Sequence, residues 1–129
     1  KGREPRLARL VIEELEPYLG SRRLTICARS WKLLEPFERL PVRRVHSVGS
    51  ARGLRRLERI AAGRRIQGIS IHERLLTGDT VARVLRLTDL VMTWPVNDAS
   101  RASELLALGV RGIITDDPDA VVATLGSAA

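Results

Sequence analysis

The sequence has a single cysteine, Cys27, two tryptophans, one tyrosine and one phenylalanine, and no long apolar run. One cysteine excludes an intramolecular disulfide and any zinc site built from several cysteines. No stretch approaches the ~20 apolar residues that cross a bilayer, so a transmembrane helix is not expected. No secretory leader is legible, and a cytoplasmic compartment is the default expectation. The only methionine is Met92. The chain therefore shows no initiator, and the expectation is that residues precede Lys1 in a longer parent chain. An aromatic content of 3% leaves little for stacking on single-stranded bases.

Arginine, by contrast, is abundant. Residues 1–65 carry 17 basic and 7 acidic groups, whereas residues 66–129 carry 5 and 8. The densest cluster is Arg52, Arg55, Arg56, Arg59, Arg64 and Arg65. Such a stripe can attract nucleic acid or an anionic membrane surface. With so few aromatics, a solvated helix face is the preferred reading over nucleic-acid binding.

The 129 residues suit a single domain, 1–129, without a Gly/Ser linker or low-complexity tract. Short apolar runs at Leu24–Ala28, Val42–Val48, Ile66–His72, Leu90–Val96 and Gly112–Thr115 read as strands. Helical spacing lies between them. Leu7, Leu10, Val11, Leu15 and Tyr18 share a face near 4–19, and Leu54, Leu57, Ile60 and Ala61 do so near 51–62. Val81, Val84 and Leu85 repeat the pattern, as do Ala102, Leu105, Leu106 and Leu108. A shorter helix near 31–39 holds Trp31, Leu34 and Phe37 around a disruptive Pro36. Gly20, Gly63 and Gly109 are placed to end helices at positive φ, and Asp117-Pro118 to start one.

The strand starts recur about every 22 residues, which predicts consecutive βα units. Continuous apolar runs favour parallel strands covered on both faces. No Gly-rich phosphate fingerprint follows any strand, which removes the main support for a nucleotide-binding Rossmann domain. A (β/α)8 TIM barrel typically needs ~250 residues, so five units in 129 residues predict a partial barrel.

The motifs narrow the choice. Val91-Met92-Thr93-Trp94-Pro95-Val96-Asn97 resembles the strand-end W-T-V-N element of the glycerophosphodiester phosphodiesterase family. Ala107–Pro118 resembles that family's closing L-G-V-D-G-I-I-T-D-x-P, Ser30-Trp31 is similar to its S-F pair, and Lys1-Gly2 to the end of its E-x-K strand. The resemblance spans the chain but only the C-terminal five-eighths of the family's barrel. It implies a metal-dependent hydrolase of lipid metabolism that cleaves glycerophosphodiesters to glycerol phosphate and an alcohol. The family uses a divalent cation, calcium or magnesium, with two histidines as general acid and base.

Two departures stand out. Pro95 replaces the usual threonine. The family's His-Arg-Gly strand, Glu-x-Asp ligands, second catalytic histidine and E-x-K glutamate have no counterpart in the sequence, so no catalytic residue and no cation site can be placed on it. The resemblance thus implies the activity of a parent chain rather than of this segment alone.

By the same resemblance Trp94 and Trp31 would wall the substrate pocket, with core packing as the alternative for each. Asn97 would either hydrogen-bond there or cap the following helix. Lys1 would present its ammonium to a phosphate oxygen. Thr115 and Asp116 would contact substrate or order the last loop. His46 and His72 fall on neighbouring predicted strands and could form a metal or acid–base pair near Asp116, although their spacing matches no ligand motif. Cys27 reads as a buried, inert thiol. A non-enzymatic alternative is a binding or assembly module. The exposed strand edges of a partial barrel would then pair with a missing half-barrel or a second copy.

Overall fold

A computed structural model describes residues 5–127. Five strands alternate with helices, which makes the fold α/β. They are β1 (Leu24–Ala28), β2 (Val42–Val48), β3 (Ile69–His72), β4 (Val91–Trp94) and β5 (Gly112–Ile113). The helices are α1 (Pro5–Leu15), α2 (Ala51–Ala61), α3 (Gly78–Leu85), α4 (Ala99–Ala107) and α5 (Pro118–Ser127). Two compact units are distinguished, one up to Ser47 and one from Val48 onward. Within each, strands run parallel in chain order, β1 beside β2 and then β3 beside β4 beside β5. This is the order of consecutive units in a (β/α)8 barrel, and the fold class is that of a partial barrel.

In the first unit, apolar spacing along α1 creates one sticky face. Ala8 is buried with Phe37 and Val42, and Val11, Ile12 and Leu15 pack on this core beside Leu24 and Ile26. The predicted helix near 31–39 is a 3-10 helix, Trp31–Phe37. Pro36 inside it lacks an N–H and would clash with the carbonyl four residues back in an α-helix. Along β1, Leu24, Ile26 and Ala28 are half-buried, whereas Thr25 and Cys27 between them are exposed. Successive side chains leave a strand on opposite faces. Cys27 is therefore an exposed thiol rather than a buried one, because it lies opposite the face that packs on α1.

The second unit is better enclosed. Ile69, Ser70 and Ile71 are all buried, as expected of a parallel strand covered on both faces. Val91 and Thr93 pair with Ile69 and Ile71. Each helix starts on a side-chain cap. Ser50 accepts from the Gly53 N–H at 3.1 Å, Thr77 from Thr80 at 3.2 Å, and Asp98 from Arg101 at 2.7 Å. Asp117 accepts from the Ala120 N–H at 3.1 Å, the cap expected ahead of Pro118.

Three strands are shorter than their apolar runs. Ile66 already bonds to the Leu87 carbonyl, but regular pairing of β3 begins at Ile69. β4 stops at Trp94 because Pro95 has no N–H to give, and Val96 then bonds to the Ile114 carbonyl. The Trp94-Pro95 peptide is cis. β5 is only Gly112–Ile113. A Cβ at Gly112 would lie 2.9 Å from Met92 Cγ, so glycine permits the close approach of β5 to β4.

Candidate functional site

Side chains at the carboxyl ends of the strands are held differently in the two units. In the first, Trp31 immediately follows β1 and its indole Nε1 donates to the Ser47 carbonyl at 3.0 Å. The His46 ring lies edge-on to it, with centroids 5.6 Å apart. Trp31 is thereby fastened to the end of β2. An open cleft of about 800 Å³ runs beside β1, lined by Leu7, Val11, Ile26, Cys27, Ser30 and Leu33 among others.

In the second unit, His72 ends β3 and Trp94 ends β4, and parallel register sets them side by side. Their rings meet edge to face, centroids 4.8 Å apart. His72 Nδ1 accepts the backbone N–H of Arg74 at 3.3 Å. The Arg74 guanidinium in turn donates to the Gly49 carbonyl at 3.3 Å, and a Cβ at Gly49 would touch the Trp94 ring. Trp94, His72, Gly49 and Arg74 thus form one cluster.

Asn97 is the centre of a second cluster. Its Oδ1 accepts from the Thr115 hydroxyl at 3.0 Å and from the Asp116 N–H at 2.9 Å, and its Nδ2 donates to Asp116 Oδ2 at 3.0 Å. Thr115 Oγ1 also accepts from the Asp117 N–H at 3.1 Å. The alternative expected for Asn97, capping the next helix, is corrected, since Asp98 does so. Both ends of the Asn97 amide instead tie the β4 exit to the loop after β5. Thr115 and Asp116 order that loop, one of the two roles expected for them.

Below these residues, Arg101 cross-links the segment after β3 to α4. It reaches Glu104 at 2.7 Å, Glu73 Oε2 at 3.4 Å and the Leu76 carbonyl at 2.8 Å. The hydrogen bond to Glu104 raises the Arg101 pKa above its ordinary value, burial opposes the rise, and the charges of Glu104 and Glu73 add to it. Neither Arg101, Arg74 nor Gly49 stood out in the sequence. Arg74 had one signal, its place two residues after a histidine at a strand end.

On α2, Leu54, Leu57 and Ala61 are buried while Arg52, Arg55, Arg56 and Arg59 are exposed. Glu58 forks with Arg83 of α3 at 2.6–2.9 Å. Lys1 lies outside the described residues. His46 and His72 are each matched with a tryptophan in their own unit. Among the described residues no three His, Cys, Asp or Glu side chains group where they could hold a metal ion. No described helix is long and apolar enough to cross a membrane.

Comparison with known proteins places the fold. No protein-family model matches the sequence, nor does any curated protein sequence. Solved structures do match. An Oleispira antarctica phosphodiesterase, in complex with the product sn-glycerol-3-phosphate, is similar over 92% of this chain, with TM-score 0.70 and 20% identity. A Silicibacter pomeroyi protein named as a glycerophosphoryl diester phosphodiesterase is similar over 96%, with TM-score 0.78 and 21% identity. This chain spans 49% and 45% of those two chains. It has the fold of about half of each phosphodiesterase structure.

Proposed function

We propose that this chain supplies substrate-side walls of a glycerophosphodiester phosphodiesterase-like hydrolase, within a longer polypeptide that carries the catalytic groups. The observation that carries this reading is the hydrogen-bonded knot of Asn97, Thr115 and Asp116. The two sequence elements that resemble the family, Trp94-to-Asn97 and Thr115-to-Pro118, are physically joined there, in a chain with the fold of half a phosphodiesterase. In this reading Trp94 presents its indole at a strand end as an apolar wall for the glycerol or alcohol moiety. Asn97 holds the last loop in place. Lys1, where it continues the family's lysine strand, offers an ammonium to a phosphate oxygen. A divalent cation, calcium or magnesium, and the acid–base histidines belong to the other strands of the longer polypeptide.

The test is turnover of glycerophosphocholine by that longer polypeptide. Trp94→Ala is expected to raise KM at least tenfold while the thermal transition stays within a few degrees. An unchanged KM in the folded variant would remove Trp94 from the substrate wall.

A second reading is favoured by one feature, the exposed face of β1 beside the open cleft. There the partial barrel acts as an assembly module that pairs with a half-barrel or with a second copy. Light scattering separates the two readings for self-pairing. A concentration-dependent dimer supports association, and a monomer from micromolar to millimolar concentration counts against it.

A further inference from the structure

The cluster at the ends of β3 and β4 contains two groups that neither the family resemblance nor the fold assigns, His72 and Arg74. His72 Nδ1 is occupied as an acceptor by the Arg74 N–H. The hydrogen bond made by one ring nitrogen sets the tautomer, so the neutral imidazole carries its proton on Nε2. Among the described residues Nε2 has no hydrogen-bond partner, and the ring is half-buried against Trp94. A directed N–H donor is left pointing away from its own backbone contact.

Arg74 supplies the charge. One NH2 of its guanidinium is anchored on the Gly49 carbonyl, and the side chain is exposed. The nearest carboxylate in sequence, Glu73, is taken by Arg101, and none of the ion pairs among the described residues involves Arg74. An anchored, uncompensated guanidinium still has N–H groups to offer, in a geometry that suits the paired oxygens of a phosphoryl group. Gly49 lies against the Trp94 ring, where an added Cβ would come to 3.8 Å from it.

We infer that His72 and Arg74 form an anion subsite beside Trp94, which binds a phosphoryl oxygen of a small phosphate ester. The inference rests on the proposed phosphodiesterase-like reading and deepens it. It places a phosphate-recognition element on this chain in addition to an apolar wall. The specificity follows from the parts: the two donors require an anionic oxygen, and the indole favours a ligand with a carbon skeleton attached.

The test is an NMR titration of the 129-residue chain with sn-glycerol 3-phosphate at low ionic strength, where charge interactions are least screened. Inorganic phosphate and glycerol serve as comparison probes. Saturable shifts of the Trp94 indole and His72 ring signals are expected, with affinity falling roughly tenfold in Arg74→Met and in His72→Phe. Arg74 is exposed, and phenylalanine keeps a ring against Trp94, so both variants are expected to retain the wild-type spectrum elsewhere. Equal binding of inorganic phosphate would assign the site to the phosphoryl group alone, and tighter binding of the ester would give the indole a share. Binding unchanged in both variants overturns the inference while leaving the phosphodiesterase-like reading intact, and so does absence of any saturable shift. That reading fails separately, through loss of turnover in the longer polypeptide.

Discussion

Substitution of Asn97 by aspartate reverses one contact of the knot and leaves the others. Oδ1 keeps its role as acceptor from Thr115 and from the Asp116 N–H. The amide that donates to Asp116 Oδ2 at 3.0 Å becomes a second carboxylate oxygen. Two unit charges about 3 Å apart in bulk water repel by about 1.4 kcal/mol. The lost hydrogen bond adds about 0.5–1.5 kcal/mol. At pH 7 and low salt Asn97→Asp is expected to cost about 2–3 kcal/mol, and Asn97→Ala, which loses all three bonds without creating repulsion, about 1.5–4.5 kcal/mol both there and in acid. Only the Asn97→Asp penalty is relieved in acid. The introduced carboxyl is protonated more readily in the folded chain than in the unfolded chain, because repulsion raises its folded pKa. Its penalty is therefore complete above the folded pKa, shrinks as pH falls through that value, and is absent below the unfolded value near ~3.9. In its protonated form it can again donate to Asp116. Urea unfolding followed by tryptophan fluorescence at pH 7 and pH 3 reads both values. An Asn97→Asp penalty, taken relative to the parent chain at each pH, that does not shrink between pH 7 and pH 3 would refute the knot as described.

Three further perturbations follow from the packing. Thr93 is fully buried on β4 and its hydroxyl has no hydrogen-bond partner among the described residues. Thr93→Val should therefore raise the thermal midpoint or leave it unchanged, since it removes a buried polar group at constant shape, an effect of about 1 kcal/mol; a fall of several degrees would show that the hydroxyl is satisfied. Leu57 is fully buried on α2, and Leu57→Ala should cost about 2–5 kcal/mol in denaturant unfolding. Arg101→Met removes charge-assisted bonds to Glu104 and Glu73 and one to the Leu76 carbonyl. It is expected to cost about 2 kcal/mol and to speed hydrogen exchange in the segment after β3 more than in α2. Uniform acceleration of exchange would contradict a local tie.

Much of the scaffold is written in local pattern. β1 and β2 coincide with the apolar runs Leu24–Ala28 and Val42–Val48. Gly20, Gly63 and Gly109 all sit at positive φ, as their places after helical stretches predict. What a strand faces is not local. Cys27 looks like a core residue by composition, yet it is exposed, because strand alternation sets it on the face opposite half-buried Ile26 and Ala28. Ile66 belongs to an apolar run but precedes the regular ladder, since only a neighbouring strand defines where pairing begins. The site shows the same division. Trp94 and Asn97 were legible as motif residues. The bonds joining Asn97 to Thr115 and Asp116 span the crossover through α4, and the reach of Arg74 to Gly49 spans the one through α2. Such contacts are created by register between strands, which a linear pattern does not contain.

The proposed function divides the work between this chain and the longer polypeptide proposed to contain it. Release of glycerol 3-phosphate from glycerophosphocholine separates the two, measured for the 129-residue chain and for the longer polypeptide, each with and without a chelator. Chelator-sensitive release is expected from the longer polypeptide and none from the 129-residue chain. Chelator-sensitive turnover by the 129-residue chain alone would contradict it.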